Sequence, residues 1–134
     1  ALKEVLNLLD SAEVDIGTLV APFKDFDEMQ KAQYVKAECY FKSNNIKARA
    51  NNFTRIANKE KMENLYHHVG IYSYRREALE KFVKLKQTDR EKEEKLEQLR
   101  AIENNMHIEV SLIDSPILGI DTQEDLDNIR EIQK

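Results

Sequence analysis

His68, Tyr72 and Tyr74 stand at alternate positions of Tyr66-His67-His68-Val69-Gly70-Ile71-Tyr72-Ser73-Tyr74-Arg75, a stretch with the period of a β-strand. Val69, Ile71 and Ser73 fall on one side of the pleat; His68, Gly70, Tyr72 and Tyr74 fall on the other. An imidazole can donate or accept a hydrogen bond and a phenol can donate one, so this second side can address a small polar molecule lying across it, with Gly70 leaving a gap for it. The same pattern also suits a buried strand whose His and Tyr find partners among their neighbours.

Positioning that strand requires a scaffold, and the flanking sequence reads as alternating helices and strands. Leu2, Val5, Leu6 and Leu9 form the apolar stripe of an amphipathic helix ending near Asp10-Ser11. Val14, Ile16, Thr18 and Val20 alternate as a strand that Pro22 ends. Asp25 to Lys31 suggests a short helical turn. Gln33 to Phe41 predicts a strand with Val35, Ala37, Cys39 and Phe41 inward and Tyr34, Lys36, Glu38 and Tyr40 on a wet side. Ser43-Asn44-Asn45 is turn chemistry, and the segment 48–64, carrying Asn51, Asn52, Asn58 and Asn64 without a clean period, reads as a mobile or irregular loop.

Beyond the central strand, Arg76 to Lys84 predicts a helix with Ala78, Leu79, Phe82 and Val83 inward. A second helix runs from a cap at Thr88 or Asp89 to about Asn104, with Leu96, Leu99 and Ile102 on one side and a Glu91–Lys95 pair on the other. Ile108, Val110 and Leu112 alternate as a strand through 107–114. Thr122 caps a final helix, with Asp125 completing a capping box and Leu126, Ile129 and Ile132 forming its stripe.

The 134 residues suit a single domain spanning 1–134. The single cysteine, Cys39, excludes an internal disulfide framework, and no Cys/His spacing of zinc type occurs. With 21 Lys and Arg against 25 Asp and Glu, a net charge of −4, the footprint of a nucleic-acid binder is missing. No apolar run approaches a membrane span and no signal-peptide pattern opens the chain, so a cytoplasmic setting and no membrane partner are expected. A start without Met, straight into a helical pattern, suggests a chain cut from something longer.

Three blocks, in order and at matching spacing, resemble the C-terminal half of the CMP-Kdo synthetases, cytidylyltransferases that join CTP to 3-deoxy-D-manno-octulosonate (Kdo). They are His68-Val69-Gly70-Ile71-Tyr72-Ser73-Tyr74-Arg75, then Leu96-Glu97-Gln98-Leu99-Arg100, then Gly119-Ile120-Asp121-Thr122-Gln123-Glu124-Asp125-Leu126. The resemblance implies an α/β fold of the nucleotide-diphospho-sugar transferase type, with a mixed, mostly parallel sheet flanked by helices, the N-terminal nucleotide-binding half absent, and a homodimer; the strand edges that a missing half-sheet leaves unpaired add the expectation of an intertwined one. It implies that His68 and Tyr72 line the Kdo site and that Glu97 and Gln98 bond the sugar hydroxyls, as matched donors and acceptors orient a polyhydroxylated acid. It makes Asp121 one of two aspartates holding magnesium, an ion usually held by one or two carboxylates plus substrate phosphates. Asp121 also precedes a helix N-terminus, where any carboxylate is favoured, and Glu97 and Gln98 also suit the surface of a charged helix.

Two departures follow from the resemblance. The family's arginine- and serine-rich loop for the CTP phosphates and its second magnesium aspartate have no counterpart here, and Gly17, Gly70 and Gly119 stand singly. Where the family has a Phe-Ser-Arg run before prolines, Tyr40-Phe41-Lys42-Ser43-Asn44-Asn45-Ile46 offers Lys42, a point charge without arginine's planar fork. The expectation is therefore no turnover by this chain alone: it supplies the Kdo-binding and dimer-forming half of a magnesium-dependent enzyme of lipopolysaccharide synthesis, with CTP and Kdo as that enzyme's substrates. The alternatives are a non-catalytic homodimeric assembly module, or the corresponding half of an activator of a related sugar acid.

Overall fold

The computed structural model describes residues 2–115. The Gly119–Leu126 block, Asp121 and the expected last helix lie outside these residues. The chain runs α1 (Leu2–Asn7), a 3-10 turn (Leu8–Asp10), β1 (Ile16–Ala21), α2 (Phe26–Met29), β2 (Lys36–Cys39), β3 (Lys47–Thr54), a second 3-10 turn (Lys59–Asn64), β4 (Leu65–Tyr74), α3 (Arg76–Lys84), α4 (Asp89–Glu94), α5 (Gln98–Glu103) and β5 (Ile108–Leu112).

The strands hydrogen-bond in the order β1-β4-β2-β3-β5, and β5 returns to β1 to close the sheet into a barrel. The β1–β5 pairing is parallel and the other four are antiparallel. The sheet is thus mixed, as expected, but among the described residues it is mostly antiparallel rather than mostly parallel.

β1 is buried along its whole length. Ile16 and Val20 pack into the larger core with Phe53, Phe82, Leu99 and Ile108, while Leu19 and Ala21 join a second cluster with Val5 and Leu8 of the N-terminal helical segment. Gly17 lies between them at a close approach. A Cβ there would sit 2.5 Å from Ser73 Oγ and 3.0 Å from Leu8 Cβ. Ser73 needs that room because its hydroxyl donates to Val5 O at 2.6 Å, tying the first helix to β4. Arg75 closes the same end by donating from Nε to Val14 O and from Nη2 to Leu9 O and Ser11 O.

Four expectations change. The segment 48–64 is not an irregular loop: β3 pairs with β2 and β5, and a 3-10 turn follows it. Its period is hidden by a bulge, because Glu38 faces Asn52 while Cys39 faces Ala50, so Asn51 is skipped and the buried residues become Ala50 and Phe53. β2 has no wet side. Lys36 is fully buried, its ammonium donating to Lys31 O at 2.8 Å and Arg55 O at 2.6 Å, and burial, then nearby Arg55, push its pKa down. The 88–104 helix is broken into α4 and α5, with Lys95 at φ 57°, ψ 46°, in the left-handed region. On α3, Ala78 and Phe82 are buried, but Leu79 and Val83 are 43% and 65% exposed.

Gly17→Ala is expected to destabilise the chain by about 1–3 kcal/mol, the cost of overpacking a filled site. Urea unfolding measures it, and an unchanged midpoint would show that Ser73 and the first helix yield freely.

Candidate functional site

On a regular strand, residues four apart lie about 13 Å from each other. His68 and Tyr72 instead place their ring centroids 5.4 Å apart in an edge-on contact. The cause is a bulge: Thr18 faces Tyr72 and Leu19 faces Val69, so Gly70 and Ile71 have no partners on β1. Gly70 is therefore not a gap separating the two rings. A Cβ at Gly70 would meet nothing within 4 Å.

The aromatic contacts continue in both directions. Phe53 lies 5.1 Å from His68, Tyr74 lies 5.9 Å from Tyr72, and Phe82 lies 6.2 Å from Tyr74, centroid to centroid. Arg100 stacks its guanidinium 4.7 Å over Phe82. Arg100 in turn grips Glu91 with two bonds, Nε to Oε1 at 3.0 Å and Nη2 to Oε2 at 2.6 Å. Glu91 is the third residue of a capping box with Thr88, not the partner of Lys95 that its spacing suggested. Arg100 first, through these bonds, holds the Glu91 carboxyl below its usual pKa, and the guanidinium is favoured in return.

This ion pair closes the α4–α5 corner and so places Glu97 and Gln98. Tyr72, Tyr74, Phe82, Ile108, Glu97 and Gln98 surround a hollow of about 50 Å³. Three of the residues singled out in the sequence, Tyr72, Glu97 and Gln98, thus meet around one space, and His68 sits behind Tyr72 in ring contact with it. The hollow has room for one or two waters, well below the several hundred Å³ of an ordinary small-molecule site. Burial, then Tyr74 and Glu97, push the Tyr72 phenol up; burial, then Glu97, do the same for Tyr74. Both phenols remain protonated donors, and Glu97 and Gln98, with their carboxylate and amide acceptors, line the same hollow.

His68 is pushed down to about 4 by burial, with a further push from adjacent His67, and is neutral at pH 7. Its Nε2 lies 3.0 Å from the hydroxyl of Thr18. His67 faces elsewhere, stacked on Phe23 at 5.1 Å and tilted against Tyr34 at 4.8 Å.

Among the described residues no group of three or more His, Cys, Asp or Glu could hold a metal ion. Asp121, the expected magnesium ligand, lies outside the described residues. Sequence reasoning also missed two features. Phe53-Thr54-Arg55 supplies the aromatic, hydroxyl and arginine order sought at Phe41-Lys42-Ser43, but the Arg55 fork is engaged on backbone carbonyls, with Nε on Glu94 O at 2.9 Å. A cleft of about 270 Å³ opens between α2 and the start of β4, lined by Phe23, Phe26, Met29, Met62 and Leu65. The Phe23, Phe26, Met29 spacing of three was its available signal.

Replacing Arg100 by Met should cost about 2–3 kcal/mol, less than for a deeply buried pair because part of the guanidinium meets solvent, yet more than for a surface one. Thermal unfolding tests it; a loss under 0.5 kcal/mol, the scale of an ordinary surface change, would show that the corner holds without the ion pair. A second expectation concerns acid. The folded-state pKa of His68, about 4, lies below the roughly 6.5 of an unfolded histidine, so the unfolded chain binds the proton first. This contribution is complete above pH 6.5 and is lost as pH falls towards 4, by about 3 kcal/mol in all. Urea midpoints between pH 7 and 4 should fall less steeply in His68→Gln, and equal slopes would refute it.

The comparisons with known proteins agree with one another. The family described as cytidylyltransferase matches residues 1–108. The chain is similar to 3-deoxy-manno-octulosonate cytidylyltransferases: 46% identical over 132 residues to that of Bartonella bacilliformis, covering 98% of the chain and 54% of the relative. To that of Bartonella quintana it is 49% identical over 127 residues, covering 95% and 52%, and to that of Paramagnetospirillum magneticum 39% over 133 residues, covering 99% and 54%. The fold is similar to a solved CMP:2-keto-3-deoxy-manno-octonic acid synthetase complexed with CTP, at a TM-score of 0.71 and 24% identity, covering 98% of this chain and 54% of that one. The chain spans about half the length of the curated relatives it matches, and it belongs to the cytidylyltransferase family.

Proposed function

We propose that this chain supplies the sugar-acid-binding half of an enzyme that transfers a cytidylyl group from CTP to 3-deoxy-D-manno-octulosonate, for lipopolysaccharide synthesis in the cytoplasm. The observation that carries the reading is the convergence of Tyr72, Glu97 and Gln98 on one hollow backed by His68, in a chain similar to enzymes of that name. In the transfer, a sugar hydroxyl oxygen bonds to the α-phosphorus of CTP, the bond to pyrophosphate breaks, and the hydroxyl proton leaves to a base. The residues of this chain act by orientation. The phenols of Tyr72 and Tyr74 donate to sugar oxygens, Glu97 accepts from hydroxyls, and Gln98 does both. The hollow takes part of the sugar, not its whole envelope. Magnesium, held by Asp121 with a second carboxylate and the substrate phosphates, would belong to the whole enzyme and would supply charge neutralisation at the phosphates.

A homodimer belongs to the same proposal. The second reading, a non-catalytic assembly module, is favoured by one observation: Leu79 and Val83, four apart on α3, are both exposed. Calorimetry with Kdo distinguishes the readings. Binding weakened about tenfold to a hundredfold by Tyr72→Phe or Gln98→Ala, the scale of one lost buried hydrogen bond, supports the first. No Kdo binding beside a stable dimer in sedimentation supports the second, and tighter binding of a sialic acid than of Kdo would move the substrate to a related sugar acid.

A further inference from the structure

Thr18 is the only polar side chain of β1, and it is fully buried. Its Oγ1 lies 2.7 Å from Ile71 O, 3.2 Å from Val69 O and 3.0 Å from His68 Nε2. A hydroxyl has one proton and two lone pairs, and a carbonyl oxygen only accepts. The proton therefore goes to a carbonyl, and the nearer one is Ile71 O. Towards the imidazole the hydroxyl presents a lone pair, which only a protonated Nε2 can satisfy. The reverse tautomer would draw the hydroxyl proton to Nε2 and leave both carbonyls, on either side of the unpaired Gly70, facing lone pairs.

We propose that Thr18 is a positioning residue that holds His68 as the Nε2–H tautomer and so makes Nδ1 the ring's single acceptor for a hydroxyl of the sugar acid. The same hydroxyl donates to Ile71 O of the bulge at 2.7 Å, so the ring's tautomer and its approach to Tyr72 are set at one atom. An acceptor there selects ligands that bring a hydroxyl proton, because an uncompensated lone pair in a desolvated site costs affinity. The sugar-acid part of this inference rests on the function proposed above; the tautomer does not.

The test is nitrogen-15 NMR of the His68 imidazole in the full 134-residue chain near pH 7, with signals assigned through His68→Gln. The expected spectrum shows Nε2 protonated and Nδ1 unprotonated, in the unmutated chain and in Thr18→Ser, with Thr18→Val shifting the ring towards Nδ1–H. Calorimetry with Kdo should then show about tenfold weaker binding for Thr18→Val and near-normal binding for Thr18→Ser. An Nδ1–H ring in the unmutated chain, or a Thr18→Val ring still wholly Nε2–H, overturns the proposal. If Thr18→Val fails to fold, the unmutated and Thr18→Ser spectra decide it. If Thr18→Val moves the tautomer while Kdo affinity stays unchanged, the acceptor role is overturned. An Nε2–H ring in a chain that binds no Kdo at all overturns the sugar-acid reading and upholds the hold of Thr18 on the ring.

Discussion

β1 has no free face and no free edge. It pairs with β4 on one side and β5 on the other, and its six residues are all buried. A strand in that position must satisfy every polar group from within the protein, since no water is there to do it. It carries a single hydroxyl, that of Thr18, and the bulge in β4 brings both an imidazole and two carbonyls to it. The irregularity in β4 is thus tied to the strand that could least tolerate an unsatisfied group, which is the physical reason a bulge persists in the middle of a closed sheet.

The aromatic contacts turn that local fact into a longer-range one. From Phe53 on β3 through His68, Tyr72 and Tyr74 to Phe82 on α3, each ring touches the next, and Arg100 on α5 caps the row before binding Glu91 on α4. Strand β4 and the helical corner are therefore in register through packed rings, which interdigitate and transmit displacement instead of absorbing it. Glu97 and Gln98, at the start of α5, line the same hollow as the phenols of that row. The hollow between them is small because its walls are held on both sides.

The chain belongs to the cytidylyltransferase family and spans about half the length of the 3-deoxy-manno-octulosonate cytidylyltransferases to which it is similar. What it offers is hydrogen-bonding chemistry without a concentrated positive charge: protonated phenols, an amide, a carboxylate and a neutral imidazole. Such groups recognise hydroxyls well. A triphosphate calls for cations, backbone amides or a metal, and the described residues around this hollow do not assemble that set.

Read alone, the sequence determined the element types with short-range signatures: α3 over 76–84, a helix cap at Thr88 or Asp89, the strand around Ile108–Leu112, and the two faces of β4, whose side chains alternate by local geometry. It also picked out His68, Tyr72, Glu97 and Gln98 as a set, through the first two of three short blocks in order. Tertiary structure decided the rest, wherever a distant partner overrode a local pattern. Lys36 and Glu38 looked solvated but are buried, because pairing on both edges of β2 encloses them. Asn51 disguised β3, because a bulge shifts its period by one. Glu91 looked paired with Lys95 but binds Arg100 across a broken helix. Above all, only the folded β4 brings His68 within ring contact of Tyr72, because that distance depends on two residues that β1 leaves unmatched, and the pairing register between strands some fifty residues apart is set by their packing, not by either strand's own alternation.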